Sequence, residues 1–496
     1  MEPQNRLKKT LGPWSLTALG IGAVIGSGIF TVIGTAIAGQ QYDTSSIFNA
    51  PLLEYFIHHA ATTGRPGAGP ALALSLVLVA IVCAFTGLCY AELASMIPIA
   101  GSAYTYTYAT MGELIAWIIG WDLILEYAVS NMAVSVGFAQ HLVNMADWFG
   151  WHPALKWISP AYLPGGLQDF QGRTIIGSGW HFGFNFPAFL IVMLLTVVLV
   201  RGIRESAEAN TVMVILKIGA IIAFVVAGSY FIHTPNWVPF IPNGWPGILT
   251  GGSIIFFTYI GFDSVSTAAE EAKNPQKDLP FGILMTLIVC TLLYIAVAVV
   301  LTGIVPWQSV ANDAAPVVNA LAKVAHTTGS VALHWTRLAV LFGALMGMIS
   351  SLLVFQLGQA RVWFAMSRDG LMPKIFSRVH PRFRTPAFST WVAGVVVGIP
   401  AGLLDIGTLA NLSNIGTLFA FVLVSIGVLI LRYKQPDRPR AFRAPGGPVI
   451  PILSMGFCFL LMLGLEIYTW FRFVGWLAIG LVIYFSYSRR HSEFAK

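Results

Sequence analysis

Apolar residues fill this chain in blocks of helical length, each ended by polar or Gly- and Pro-rich stretches. A bilayer core asks for about 20 consecutive apolar residues per crossing helix. Twelve blocks approach that measure: 13–37, 70–97, 106–141, 185–203, 207–231, 246–270, 280–304, 335–366, 387–404, 406–431, 448–471 and 473–489. The joins near Asp405 and Arg472 are the tightest, and each pair there also reads as one long helix. Three connecting stretches, 38–69, 142–184 and 305–334, are long and rich in Gly, Pro and Trp, and are expected to pack over one face. No soluble domain, low-complexity tract or solenoid repeat is visible. The pattern predicts an all-α polytopic membrane protein of twelve transmembrane helices.

Two blocks are interrupted at their centres. In the first, Gly20, Gly22, Gly26 and Gly28 fall within nine residues. Glycine in a helix interior costs about 1 kcal/mol relative to Ala, and every backbone group freed in lipid needs a partner. Gly22 and Gly26 fit a close-packing face, but the contiguous Gly26-Ser27-Gly28 reads as an unwound segment. No strand precedes it, so it is not a dinucleotide fingerprint. In the sixth block, Gly261, Asp263 and Ser264 interrupt the run from Phe257. Paired interruptions at corresponding positions of two halves point to a transporter binding site. A broken helix offers free N–H groups at a positive dipole end, suited to a carboxylate. The opposite half-helix offers carbonyls, suited to an ammonium. Together they match a zwitterionic amino acid.

Composition narrows the class. Of 496 residues, 56% are hydrophobic and 10% charged, where soluble domains carry about 25% charged. The net charge of +7 reads as loop bias and not as a nucleic-acid surface. With the N-terminus inside, 21 of the 28 Lys and Arg fall on cytoplasmic segments. Six fall on the other side (Arg65, Lys156, Arg173, Lys323, Arg337 and Arg472). That asymmetry predicts twelve spans in the plasma membrane with both termini cytoplasmic, the first block being a retained helix. Cys83, Cys89, Cys290 and Cys458 lie inside apolar runs, with no disulfide framework and no metal pair. No nucleotide-binding loop, zinc-protease motif or nucleophile elbow occurs, which argues against an ATP-driven pump or an enzyme and calls for no cofactor or metal.

The charges inside blocks are costly, at about 2.5–3.5 kcal/mol for a lysine at the bilayer centre. Lys217 lies midway along the fifth block, too deep to snorkel, and is expected to face the interior. Glu126 lies near mid-depth in the third block, with Asp122 four residues earlier on the same face. Asp263 reads either as a partner for a cation or as the cap of the second half-helix. Glu92, Glu270 and Glu271 read as a cytoplasmic gate or as solvated loop ends. Glu466 reads as packing or a dimer contact.

The motifs Gly22-Ala-Val-Ile-Gly-Ser-Gly-Ile-Phe30, Tyr90-Ala-Glu-Leu-Ala-Ser-Met-Ile-Pro98, Tyr259-Ile-Gly-Phe-Asp-Ser-Val-Ser-Thr-Ala-Ala-Glu-Glu-Ala-Lys-Asn-Pro275 and Ala365-Met-Ser-Arg-Asp-Gly370 carry a resemblance. The chain resembles the amino acid–polyamine–organocation superfamily, and within it the cationic amino acid transporters, over nearly its whole length. The resemblance implies a LeuT-like five-plus-five inverted repeat, 13–231 and 246–431, plus two extra helices at 448–489. Residues 1–12 and 490–496 are then cytoplasmic ends. It implies a substrate carboxylate on the N–H groups of Gly26, Ser27 and Gly28. The amino group would meet carbonyls of Val24 and Ile25 and around Phe257, Thr258, Tyr259 and Ile260. Met348 would line the side-chain pocket, Glu126 would sit near Lys217, and Lys217 would stand in for the sodium ion of sodium-coupled relatives. The expected function is proton-coupled amino acid symport, with exchange or non-transporting sensing as alternatives. The substrate tilts toward small neutral amino acids such as alanine, with arginine or lysine open. The expected partners are the amino acid, a proton and the lipid bilayer, with a small membrane subunit or a dimer left open.

Overall fold

The computed structural model describes residues 11–97, 102–151, 154, 157–163, 167–168, 174–176, 179–201, 207–311, 313, 315–383 and 385–492, without side chains at 43–44, 102, 162–163, 167–168, 174–176, 207–210 and 267–271. The side chains of the proposed gate acids Glu270 and Glu271, and the two chain ends, therefore lie outside what is described. The chain is predominantly helical. Eight stretches are long and apolar enough to cross a membrane: Pro13–Ala38, Gly69–Met96, Thr211–Ser229, Gly244–Ser266, Pro275–Ile304, Val331–Arg368, Ile406–Lys434 and Ile467–His491.

The first stretch is two helices. α1 (Pro13–Val24) stops, and the chain restarts as a wide turn over Gly28–Val32 and continues as α2 (Ile33–Ala38). Strands β1 (Gly39–Ser46) and β2 (Thr62–Pro66) then form an antiparallel hairpin enclosing the short α3 (Leu52–His58). α4 (Leu72–Met96) returns, followed by α5 (Ser102–Met111) and α6 (Glu113–Trp148). The third block was expected as one span from 106. It is divided at Gly112, whose φ of +88° is open to glycine and strained for other residues, and α6 runs on to Trp148.

α7 (Phe186–Arg201) and α8 (Ala207–Ser229) precede the second interrupted segment. There α9 (Gly244–Ile255) gives way to tight turns at Phe256–Tyr259 and Phe262–Glu271, and α10 (Pro275–Ile304) follows. The connection after it is partly helical: α11 (Pro316–Thr328) buries Val317, Val318, Leu321 and Val324. α12 (Val331–Arg368), α13 (Ala387–Leu403), α14 (Ile406–Lys434), α15 (Val449–Leu463), α16 (Ile467–Ile483) and the short α17 (Arg489–His491) complete the chain. α7, α13 and α15 are apolar but shorter than the eight.

The two uncertain joins resolve differently. Asp405 caps α14, its carboxylate accepting from the Thr408 N–H at 3.0 Å, so α13 and α14 are separate. The later break falls at 464–466 and not at 472, leaving Arg472 inside α16. Its cause is the hairpin segment: the Leu52 N–H donates to Leu465 O and the Ile467 N–H to Ala50 O, both at 3.0 Å. Glu466 is thereby held inside the protein, 3.3 Å from Arg65 Nε and accepting from Tyr42 OH at 2.7 Å.

α6 and α8 pack on α12, α10 packs on α1 and α4, and α14 packs on α6. The two interrupted segments lie within this ring. At the end opposite the hairpin, Glu92 of α4 is fully buried beneath Arg432 and Arg440. Its carboxylate accepts from Arg432 Nε at 3.0 Å and from the Ala444 N–H at 2.8 Å. Glu92 thus ties α4, α14 and the 435–448 connection together.

Candidate functional site

The two interruptions meet. A methyl group on Gly28 would lie 2.7 Å from Thr258 Cα, so the restart of the first segment touches the backbone of the second. Gly261, at φ +112°, turns the sixth segment, and a methyl group there would lie 3.1 Å from Ala23 Cβ. Glycine accepts that dihedral without the clash an L side chain meets.

Breaking α1 frees carbonyls that would otherwise bond within the helix. Protein groups satisfy them. Lys217 Nζ of α8 donates to Gly22 O at 2.7 Å and Ile25 O at 2.8 Å. Ser351 Oγ of α12 donates to Ala23 O at 3.1 Å. Tyr294 OH of α10 lies 3.1 Å from Val24 O and 2.9 Å from Thr258 O, bridging the two broken segments. Lys217 is fully buried, and its stem lies beside Gly347, where a methyl group would be 3.3 Å from its Cδ.

The N–H side of the break differs. The Gly26 N–H turns back to Val24 O at 2.9 Å. The helix restarting at Gly28 leads with N–H groups that have no acceptor within it. Beside them Ser27 Oγ is fully buried and has no hydrogen-bond partner among the described residues. Carbonyls are filled from three helices while donors stand open, so the break presents itself to an anion.

Val24, Ile25, Gly26, Ser27, Gly28 and Lys217 therefore assemble at one point, with Thr258 against them. Phe257 and Ile260 are buried in the adjoining turn. The Tyr259 side chain points elsewhere, its hydroxyl donating to Thr291 Oγ1 of α10 at 3.1 Å. Met348 is buried beside Gly347 on α12. Glu126 and Asp122 are buried on α6. Asp122 Oδ1 lies against α14, 2.8 Å from where a Gly416 methyl would be, and neither carboxylate oxygen has a hydrogen-bond partner among the described residues. Asp263, 2% exposed, lies near enough to Glu126 for their charges to interact. Tyr294 and Ser351 were not anticipated. Their signal was a lone tyrosine in the seventh apolar block and a Ser350-Ser351 pair in the eighth.

An amino acid permease family model matches residues 11–486. The chain belongs to that family, within the amino acid–polyamine–organocation superfamily. It is 44% identical to the branched-chain amino acid permease of Bacillus subtilis (strain 168), over 99% of this chain and 95% of that protein. A methylthioribose transporter of the same strain is 42% identical over 98% and 95%. A vacuolar cationic amino acid transporter 4 of Arabidopsis thaliana is 35% identical over 87% of this chain and 65% of that protein. The permease is a membrane transporter and not an enzyme. The match begins at the first interrupted helix and runs past α16, so both breaks fall within the family region.

Proposed function

We propose that this permease carries L-amino acids across the plasma membrane by alternating access, as a proton-coupled symporter. The single observation that carries the reading is the asymmetry of the first break, with carbonyls occupied and donors open. The substrate carboxylate seats on the N–H groups of Ser27 and Gly28 and on Ser27 Oγ. Its ammonium goes to free carbonyls of the sixth-segment turn around Tyr259 and Ile260, because Lys217 and Tyr294 already hold Ile25 and Val24. Lys217 carries the coupling proton. Twelve helices cross the bilayer as two five-helix repeats plus two. The termini are cytoplasmic and the β1–β2 hairpin is external, in keeping with the 21-to-6 split of basic residues.

A small or branched neutral side chain suits the pocket best. The branched-chain relative supports this, and the cationic transporters keep arginine and lysine as the second class. The test is a thermal-shift screen of the purified protein against the twenty amino acids and methylthioribose, followed by uptake into proteoliposomes. A binder stabilises the folded state by mass action. Stabilisation and accumulation by neutral amino acids are expected. Response to methylthioribose alone would overturn the amino acid reading, and binding without uptake would favour a sensor.

A further inference from the structure

The hairpin-side halves of the two interrupted segments are joined to each other through one short stretch. The Ala68 N–H donates to Ala36 O of α2 at 2.9 Å. Thr250 Oγ1 of α9 donates to Pro66 O at 2.5 Å, and Asn243 Nδ2, at the residue before α9, donates to Gly67 O at 2.8 Å. α2, α9 and the 66–68 stretch therefore form one stitched body. Arg65 is the next residue along. It lies cross-strand from Gln40 and is 3% exposed.

Arg65 reaches out of that body. Its Nη2 donates to Asn411 Oδ1 of α14 at 2.6 Å and to Gln40 Oε1 at 3.0 Å. Its Nε lies 3.3 Å from Glu466 in the α15–α16 break. Three residues on from Asn411, on the same face of α14, Asn414 Nδ2 donates to Ser253 O and Ile254 O of α9 at 2.7 and 3.2 Å. Two asparagines one turn apart thus hold the stitched body to α14. A charge-assisted, desolvated contact between bodies is a discrete closure, made or broken as a unit.

We propose that Arg65 and Asn411, seconded by Asn414, are the latch of the permease's external gate: opening to the outside parts Arg65 from Asn411 as α2 and α9 swing together from α14. This rests on alternating access at the paired breaks. Arg65 and Asn411 are positioning residues that touch no substrate, and they set how often the outward state forms. Arg65 stays neutralised by Glu466 throughout, so the latch can part without leaving a bare buried charge.

The test uses a cysteine reporter, Ile415→Cys, fully buried one turn below Asn411. Vesicles are treated with a membrane-impermeant maleimide, and the parent chain, whose four cysteines are buried, gives the background. Asn411→Ala removes one charge-assisted bond and is expected to raise the labelling rate about tenfold. Asn411→Asp is expected to lower it, because a carboxylate offers its second oxygen to Arg65 Nη1, which has no hydrogen-bond partner among the described residues. A rise for Asn411→Ala with a fall for Asn411→Asp supports the latch, and the reverse pair overturns it. An Asn411→Ala rate within twofold of the reporter alone, or shifts in the same direction for both variants, would overturn it. The labelling ratios decide the latch whether or not amino acid uptake is seen, so its failure is separable from failure of the transport reading.

Discussion

Replacing Lys217 with Met tests the coupling directly. The substitution keeps most of the stem beside Gly347 and removes the ammonium that bonds Gly22 O and Ile25 O at 2.7 and 2.8 Å. Two charge-assisted bonds of about 1.5–3 kcal/mol each are lost, and an orphaned Ile25 carbonyl costs about 1–3 kcal/mol more. Against this stands the relief of holding an ammonium out of water, worth several kcal/mol in real proteins. The terms oppose, so the variant is expected to fold and the effect to appear in transport. With one proton per substrate, a gradient of one pH unit sustains about tenfold accumulation. In proteoliposomes with an alkaline interior, the parent should approach that ratio and Lys217→Met should stay near equality. Counterflow exchange, which needs no net proton, should survive in the variant. Tenfold accumulation by Lys217→Met under the same gradient would refute the coupling role.

Three further outcomes follow from the packing. Tyr294→Phe removes the hydroxyl shared between Val24 O and Thr258 O, and should cost about 1–3 kcal/mol at the contact of the two breaks. Slower uptake with normal membrane insertion is expected, and an unchanged rate would count against the bridge. Gly28→Ala sets a methyl 2.7 Å from Thr258 Cα, and overpacking of about 1–3 kcal/mol should lower the melting temperature and abolish substrate-induced stabilisation. Glu92→Gln leaves Arg432 and Arg440 without their buried counter-ion. A loss of about 3–5 kcal/mol is expected, read as a lower melting temperature in detergent, and a melt within a degree of the parent would dismiss the clamp.

The predominantly helical, multi-span character and both breaks were legible because lipid imposes two plain demands: length in apolar residues, and a partner for every backbone group. Gly26-Ser27-Gly28 and Gly261 violate the second demand in one short stretch each, and that marks them. The groups that answer the violation were only half legible. Lys217 announces itself by its charge at depth. Tyr294 and Ser351 do not, because one hydroxyl in an apolar helix is cheap and common. The break at 464–466 was misplaced to 472 because the sequence signal there is a lone charged residue, Arg472, whereas its cause is long-range. Backbone bonds from 50–52 and the Arg65–Glu466 pair fix it, and neither is visible along the chain. Asn411 and Asn414 escaped notice for the same reason: the partner of Asn411 lies in a hairpin 346 residues away, and those of Asn414 lie in α9, 161 and 160 residues away.

The two halves of the broken segments are held by different kinds of bond, and this bears on direction. On the hairpin side, α2 and α9 are sewn to one stretch of chain, and none of the side chains making those stitches changes charge near neutral pH. On the opposite side, α1 is held at its broken end by side chains from three other helices: Lys217, Ser351 and Tyr294. Of these, Lys217 alone can exchange a proton during a cycle. A protonated Lys217 donates strongly to Gly22 O and Ile25 O and keeps α1 docked. Loss of the proton turns charge-assisted bonds into ordinary ones, about half as strong, and weakens the docking of α1 without touching the stitched body. On the proposed coupling, a change of proton at Lys217 therefore bears on α1, while the proposed gate answers to Arg65 and Asn411. In the proposed symporter the inward opening carries proton and substrate together, the proton then leaves Lys217 to the inside, and its loss keeps α1 loosened while the substrate departs.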